Sequence, residues 1–331
     1  MLSNRQENIL KLIVEHYTKL VKPVGSKLIC DTLKCSSATI RNEMVELENK
    51  GLLEKTHTSS GRVPSEKGYR YYVDHLMEAK ELSGEDMLKL QIIFNNHQLE
   101  LNDCISKSLQ VISEMTNYTT IVLGGNSHDH LLKQIEVVPI DDENVIVIIV
   151  TDKGKVEHKT IKLENVSLDE VKKTVNLINS LIVGTPIDEI SAKLEFEVKP
   201  IIGKYVNQHE KLYNAFYHVF SDFTVPDVNV MGRNKFLDHQ EFSNIDKIKT
   251  IFSKFEDQDI LKEIREETSD GESNIKVYIG KENNIDEDVT VIKTRYKTPT
   301  EEGTIAIVGP KRMEYDRVSA LLDFIRVNIE R

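Results

Sequence analysis

Two short stretches hold the residues best placed to do chemistry, and that chemistry is recognition rather than bond-making. From Ser37 to Lys50, Ile40, Met44 and Leu47 share one side at roughly 100° per residue and mark a core stripe. The opposite side offers Ala38, Asn42 and Asn49, flanked by Thr39 and Arg41. Small, hydroxylated, amide and guanidinium groups in the first turns of a helix suit the base edges of a DNA major groove. Arg41 can pair with guanine O6 and N7, and Asn42 with adenine N6 and N7. The methyls of Ala38 or Thr39 can meet thymine. Ser37 opens the helix, whose N-terminal amides favour a phosphate. Val45 also leans outward, and the pattern assigns it no role.

The second stretch is His57, Ser59, Ser60, Gly61 and Arg62, followed by Lys67, Tyr69 and Arg70. Hydroxyls and a bare glycine let a backbone approach a sugar-phosphate chain, and the cations supply charge. Tyr69 reads as a phosphate contact with a core role as its alternative, whereas Tyr72 reads as core. Taken singly, Thr39, Arg41 or Asn42 would describe any capped surface helix with a polar face. The ordered series is what points to DNA: apolar helix, short helix, turn, polar-headed helix, glycine stop, basic hairpin.

The elements that must position these groups follow from pattern. Ile9, Leu10, Ile13, Val14, Tyr17, Leu20 and Val21 recur at steps of three and four, with Ser3 as N-cap and Pro23 as terminator. A short helix fits Ser26 to Leu33, a tight turn fits Lys34-Cys35-Ser36, and Gly51 ends the next helix. Leu52 to Thr56 and Arg62-Val63-Pro64 make a hairpin in which Pro64 requires an edge. A helix bearing Tyr69, Tyr72, Val73 and Leu76 closes this head.

Beyond a boundary at Leu82 to Asp86, a long helix is expected from Asp86 to Tyr118. Strands are expected at Thr119–Leu123, Gln134–Ile140, Asn144–Val150 and Val156–Leu163. Helices follow at Ser167–Val183, Ile201–Phe220 and Ile245–Glu267, with a short strand at Val228–Met231. The chain then reads as strands Ile275–Ile279, Val289–Tyr296 and Thr304–Val308 and a last helix from Glu314 to Ile329. Strands on both sides of a helical middle suggest one α/β domain split by an insertion.

Composition fits this division. The chain has 331 residues, 39% hydrophobic and 29% charged, enough for two or three domains with real cores. Net charge is −11, but residues 1–75 hold twelve Lys and Arg against nine Asp and Glu. A head of +3 on a body of −14 is the asymmetry expected when only the head meets phosphate. The longest apolar run, Val145 to Val150, is far short of the roughly 20 residues a membrane helix needs, and the first residues lack a secretory signal. The chain therefore reads as cytoplasmic.

Other candidate chemistry is thin. Cys30, Cys35 and Cys104 form neither a disulfide framework nor a zinc set, so they read as reduced thiols. His128-Asp129-His130 lacks zinc spacing and reads as a loop. Gly309-Pro310-Lys311-Arg312 lacks the second glycine and the Lys-Ser/Thr ending of a phosphate loop. No metal or cofactor is expected. An enzyme carrying a winged helix would need a nucleotide-cradling loop, and none is seen. A ligand-gated regulator is the other rival, and a thermal-shift screen separates it.

At this point the residues are similar to a known family. Ser36-Ser37-Ala38-Thr39-Ile40-Arg41-Asn42-Glu43-Met44, with Leu47-Glu48 and Gly51-Leu52-Leu53-Glu54, resembles the recognition helix of the HrcA family of heat-inducible transcription repressors. His57 to Asp74 resembles its wing and following helix, with Ser60 where the family often has Ala. The sharp motifs lie within the first 75 residues. The resemblance implies an α+β multidomain chain: a winged helix-turn-helix head (1–80), a GAF-like α/β domain in two segments (81–154 and 226–331), and an inserted α+β dimerisation domain (155–225). It further implies a homodimer on an inverted-repeat operator of chaperone genes, repression lifted by heat, and a chaperonin that modulates activity. A two-fold dimer does present two recognition helices to a palindromic site. Marginal stability is the expected route of release: the chain has no Trp, only 6% aromatic residues and an acidic body that repels itself.

Overall fold

The structure is a computed structural model. It describes residues 2–56, 61–78, 80–96, 101–124, 130–141, 143–163, 166–205, 209–223, 228–265, 274–298 and 302–331. The chain folds into two compact units. One comprises Met1–Val122, Asn229–Tyr296 and Thr304–Arg331; the other comprises Leu123–Val228 and Lys297–Gly303.

The first unit opens with α1 (Asn4–Leu20). Ser3 caps it: its hydroxyl accepts from Gln6 N at 3.3 Å while the Gln6 side chain accepts from Ser3 N at 3.2 Å. The helix ends where Val21 turns left-handed at φ 53°, two residues before Pro23. Helix α2 (Ser26–Leu33) and α3 (Ser37–Asn49) pack on the buried face of α1, which presents Ile9, Leu10, Ile13 and Val14. Gly51, at φ +73°, releases the chain into β1 (Leu53–Lys55), which pairs antiparallel with β2 (Arg62–Pro64). Val24 extends this wing, exchanging backbone hydrogen bonds with Arg62 at 2.8 and 3.0 Å. Helix α4 (Glu66–Tyr71) follows, capped by Ser65 and continued by one π turn (Tyr72–Leu76).

The same unit holds an α/β body. Its five-stranded sheet runs β7-β3-β10-β9-β8, with β3 Thr119–Leu123, β7 Val228–Met231, β8 Ile275–Ile279, β9 Val289–Lys297 and β10 Glu302–Pro310. Helices α5 (Gly84–Phe94), α6 (Leu101–Thr116) and α13 (Tyr315–Ile329) accompany it. One apolar cluster runs from Ile9 of the head to Ile329 of the body. Tyr315 links the two parts, its ring centroid 5.9 Å from that of Tyr69 and 6.3 Å from that of Tyr72.

The second unit is a separate core. Strands β4 (Leu132–Pro139), β5 (Asn144–Thr151) and β6 (Val156–Lys162) form an antiparallel sheet in that order. Its helices are α7 (Leu168–Ile182), α8 (Ile190–Lys193), α9 (Lys199–Tyr205) and α10 (His209–Phe223). Along β5, Val145, Val147, Ile149 and Thr151 are buried on the core face in strict alternation.

Two expectations need correction. The helix expected over Asp86–Tyr118 is α5 and α6, because α5 stops at Asn95-Asn96, whose side chains compete with the backbone for hydrogen bonds. The helix expected over Ile245–Glu267 is α11 (Ile245–Lys254) and α12 (Gln258–Arg265), broken where Asp257 Oδ1 accepts from Asp259 N at 3.0 Å. Of the helix expected over Ile201–Phe220, α9 and α10 are described on either side of residues 206–208, which lie outside the described residues. The second unit begins at Leu123, and residue 155 lies between its paired strands β5 and β6.

Candidate nucleic-acid interface

Helix α3 is set by a local cap and held by distant partners. Ser36 Oγ accepts from Thr39 N at 3.1 Å and lies 2.9 Å from Thr39 Oγ1. Ile40, Met44 and Leu47 are buried, as their spacing required. On the back of the helix, Gln6 Nε2 donates to Glu43 Oε2 at 3.0 Å and to Glu46 Oε2 at 2.9 Å. Lys50 Nζ donates to Gln6 Oε1 at 2.9 Å. Gln6 is itself buried, so these bonds fix how α3 sits on α1.

The outer face of α3 is what remains free. Ala38, Arg41 and Asn42 are exposed, and Ser37 and Thr39 are half-buried beside them. Val45, 44% exposed, continues the same stripe one turn on. A face of one guanidinium, one amide, hydroxyls and small apolar groups suits base edges better than it suits a protein core.

The wing is built differently from its expected role. His57, Ser59 and Ser60 lie outside the described residues. Gly61 is buried, and a Cβ there would lie 2.8 Å from Pro23 C. The glycine is required by the head's own packing against the turn after α1. Arg62 has its side chain only 12% exposed; Nη2 lies 2.7 Å and Nε 2.8 Å from Glu48 Oε2 on α3. That pair sets the wing against the recognition helix. Lys67 is exposed, and its Nζ donates to Lys50 O at 3.2 Å, where cations favour a helix C-terminus.

Tyr69 is turned into the core, and Arg70, half-buried, is tied to neighbouring elements. Tyr69 is 3% exposed against Tyr315, and burial pushes its phenol well above the ordinary range. Its reading as a phosphate contact is therefore corrected to its alternative, the core. Tyr72 is buried as expected. Arg70 donates through Nη2 to Val277 O at 2.6 Å, through Nε to Glu282 Oε1 at 2.9 Å and through Nη1 to Asp74 Oδ1 at 3.1 Å. Burial works against its charge, but Glu282 and Asp74 outweigh it and raise the guanidinium pKa. Arg70 joins α4 to the edge strand β8.

Sequence reading missed Ser26. Its hydroxyl lies 2.8 Å from Ser37 Oγ and accepts from Arg41 Nε at 3.3 Å. No local pattern marks it, because both partners come from another helix. Cys30, Cys35 and Cys104 are all free thiols. Of the candidate metal triplet, His128 and Asp129 lie outside the described residues. Among the described residues, no cluster of three His, Cys, Asp or Glu side chains could hold a metal, and no helix is long and apolar enough to cross a membrane.

Two family models match the chain. One, described as "Winged helix-turn-helix transcription repressor, HrcA DNA-binding", spans residues 1–75. The other, "HrcA protein C terminal domain", spans residues 102–318. A heat-inducible transcription repressor HrcA from Bacillus pumilus (strain SAFR-032) is 36% identical over 333 residues, covering 98% of this chain and 96% of that one. One from Listeria welshimeri serovar 6b is 36% identical over 329 residues, covering 98% of this chain and 94% of that one. A crystal structure of a hypothetical protein at 2.2 Å resolution aligns with a TM-score of 0.68 at 22% identity, covering 99% of this chain and 98% of that one. That last likeness is one of fold.

Proposed function

The chain belongs to the HrcA family of heat-inducible transcription repressors, and from that premise we propose that two protomers hold an inverted-repeat operator through their α3 helices and release it on heat shock. The observation that carries this reading is the free N-terminal face of α3, with Arg41, Asn42 and Ala38 exposed while every apolar residue of the opposite stripe is buried. Ser37 and Thr39 flank that face as backbone or methyl contacts. His57, Ser59, Ser60 and Lys67 supply sugar-phosphate contacts from the wing side. Arg62 and Gly61 set the wing's position.

In this reading the α/β body is the GAF-like domain, and the unit spanning Leu123–Val228 is the inserted dimerisation domain. A homodimer suits a palindromic site, since a two-fold axis relates two identical readers. The chaperonin acts as an activity modulator, as the family resemblance implies, and the protein works in the cytoplasm. Repression needs no bond-making chemistry, so no catalytic residue and no cofactor is assigned.

Fluorescence anisotropy tests the reading. The full-length protein is titrated onto an inverted-repeat duplex and a scrambled duplex across a salt series. Tight binding to the repeat alone is expected, and Arg41→Ala should cost about 1–3 kcal/mol and relax base choice at one position of each half-site. Equal, salt-sensitive binding to both duplexes, unchanged by added chaperonin, would overturn it.

A further inference from the structure

Ser26 is the first residue of α2, yet that helix makes no use of its hydroxyl. The N-cap position belongs to Gly25, which has no side chain to offer, and both partners of Ser26 Oγ stand on α3. Ser26 is 8% exposed, so this junction is largely sealed from water, whereas the Arg41 it holds is exposed. A hydroxyl shielded in this way forms stronger and more directional bonds than one facing solvent.

The consequence lies in the geometry of a guanidinium. Arginine can present two parallel N–H bonds to an acceptor pair through Nη1 and Nη2, or through Nε and one Nη. With Nε donating to Ser26 Oγ, only the terminal Nη1/Nη2 edge remains for guanine O6 and N7. The long arm is also fixed near its middle before DNA arrives, so less freedom is lost on binding. The Ser26 hydroxyl also lies 2.8 Å from Ser37 Oγ, where either oxygen can be the donor, so the same side chain that holds Arg41 is anchored to the first turn of α3.

We propose that Ser26 is a specificity-determining positioning residue: it orients Arg41 for one guanine. The inference rests on the reading of α3 as the base-reading helix. In this reading Ser26 touches no DNA itself; it acts through Arg41.

The test uses full-length protein and an operator selected by the wild type from a random duplex library. Wild type, Ser26→Ala, Ser26→Cys, Arg41→Ala and the Ser26→Ala/Arg41→Ala double variant are titrated on the operator and on each single-base variant of it, at several salt concentrations. Melting curves check that each variant folds. Loss of one hydrogen bond of ordinary worth predicts about a fivefold loss of operator affinity in Ser26→Ala. That loss should fall on the base pair that Arg41→Ala also relaxes, leave the salt slope unchanged, and vanish in the Arg41→Ala background. Ser26→Cys, nearly the same size but a poor acceptor, should behave like Ser26→Ala and serves if the alanine variant does not fold. A uniform loss across all duplexes, or a loss that persists at the same factor in the double variant, would show a purely structural serine and overturn the proposal. If Arg41→Ala leaves every base preference intact, the reading of Arg41 fails first, and the proposal with it.

Discussion

Gly68 lies within α4, and helix propensity alone says that alanine there should stabilise by about 1 kcal/mol. The packing reverses that sign. A Cβ on Gly68 would sit 2.1 Å from Leu52 O, whereas real Cβ contacts stay beyond 3.0 Å, so some part must move by about 0.9 Å. The obstacle is backbone, and it is already engaged: Leu52 O accepts from Ser65 N at 3.1 Å. The Ser65 hydroxyl also binds Gly51 O at 2.6 Å and accepts from Gly68 N at 3.0 Å. Separating α4 from the wing sacrifices one or two of these bonds, at about 1 kcal/mol each, on top of an overpacking cost of about 1–3 kcal/mol. Set against the propensity gain, Gly68→Ala should destabilise by about 2 kcal/mol. In a cooperative unit of about 220 residues that is a fall in Tm of about 4–8 °C. Thermal melts followed by circular dichroism measure it directly. A Tm equal to or above wild type would refute the argument that backbone contact, rather than helix propensity, decides residue 68.

Three further expectations follow from the same geometry. Arg70 is tied to Glu282, Asp74 and Val277 O, so Arg70→Ala should lower Tm while leaving the slope of log affinity against log salt unchanged; a phosphate contact would instead reduce that slope by about 0.9. His239 donates through Nε2 to Asn117 O at 2.9 Å, and burial depresses its imidazole pKa below the ordinary 6.5. The neutral ring therefore contributes stability above about pH 6.5 that is lost as the pH falls, and His239→Gln should flatten the decline of Tm between pH 7 and pH 5. Asp86 is held below the usual carboxylate range by its hydrogen bonds from Arg317, so its contribution, present at neutral pH, disappears only in stronger acid. Asp86→Asn should thus lower Tm at pH 7 and leave the acid limb below pH 4 shallower than in wild type.

The head was legible because its signals are local. Ser3 at the N-cap of α1, Gly51 after Asn49, and the apolar spacing of α1 and α3 all act within four residues. What sequence could not assign were partners. Arg62 and Arg70 look equally suited to phosphate by type, and only the folded chain brings Glu48 to one and Glu282 to the other. Gly61 looks like an approach site for a ligand, but the backbone it admits is that of Pro23. Sheet membership was hidden for a similar reason: the alternation in β4 and β5 marks strands without saying which sheet they join. The helical stretch at Ile190, Leu194 and Val198, buried at four-residue spacing, was hidden between Pro186 and Pro200.

Head and body share one apolar cluster, and this bears on how heat could reach the DNA-binding face. Had the head been a separate bead on a linker, a melting body would leave α3 intact, and repression would need a dedicated sensor. Instead Tyr315, 1% exposed, packs against Tyr69 and Tyr72 of the head, so loss of body packing removes support directly from the helix that follows the wing. Truncating so large a buried side chain removes about 3–5 kcal/mol, and Tyr315 has no path to DNA. Tyr315→Ala should therefore lower the temperature of operator release by the same number of degrees as it lowers Tm. Two separate transitions, with the head still bound while the body melts, would mean that the shared core is not the route by which heat acts.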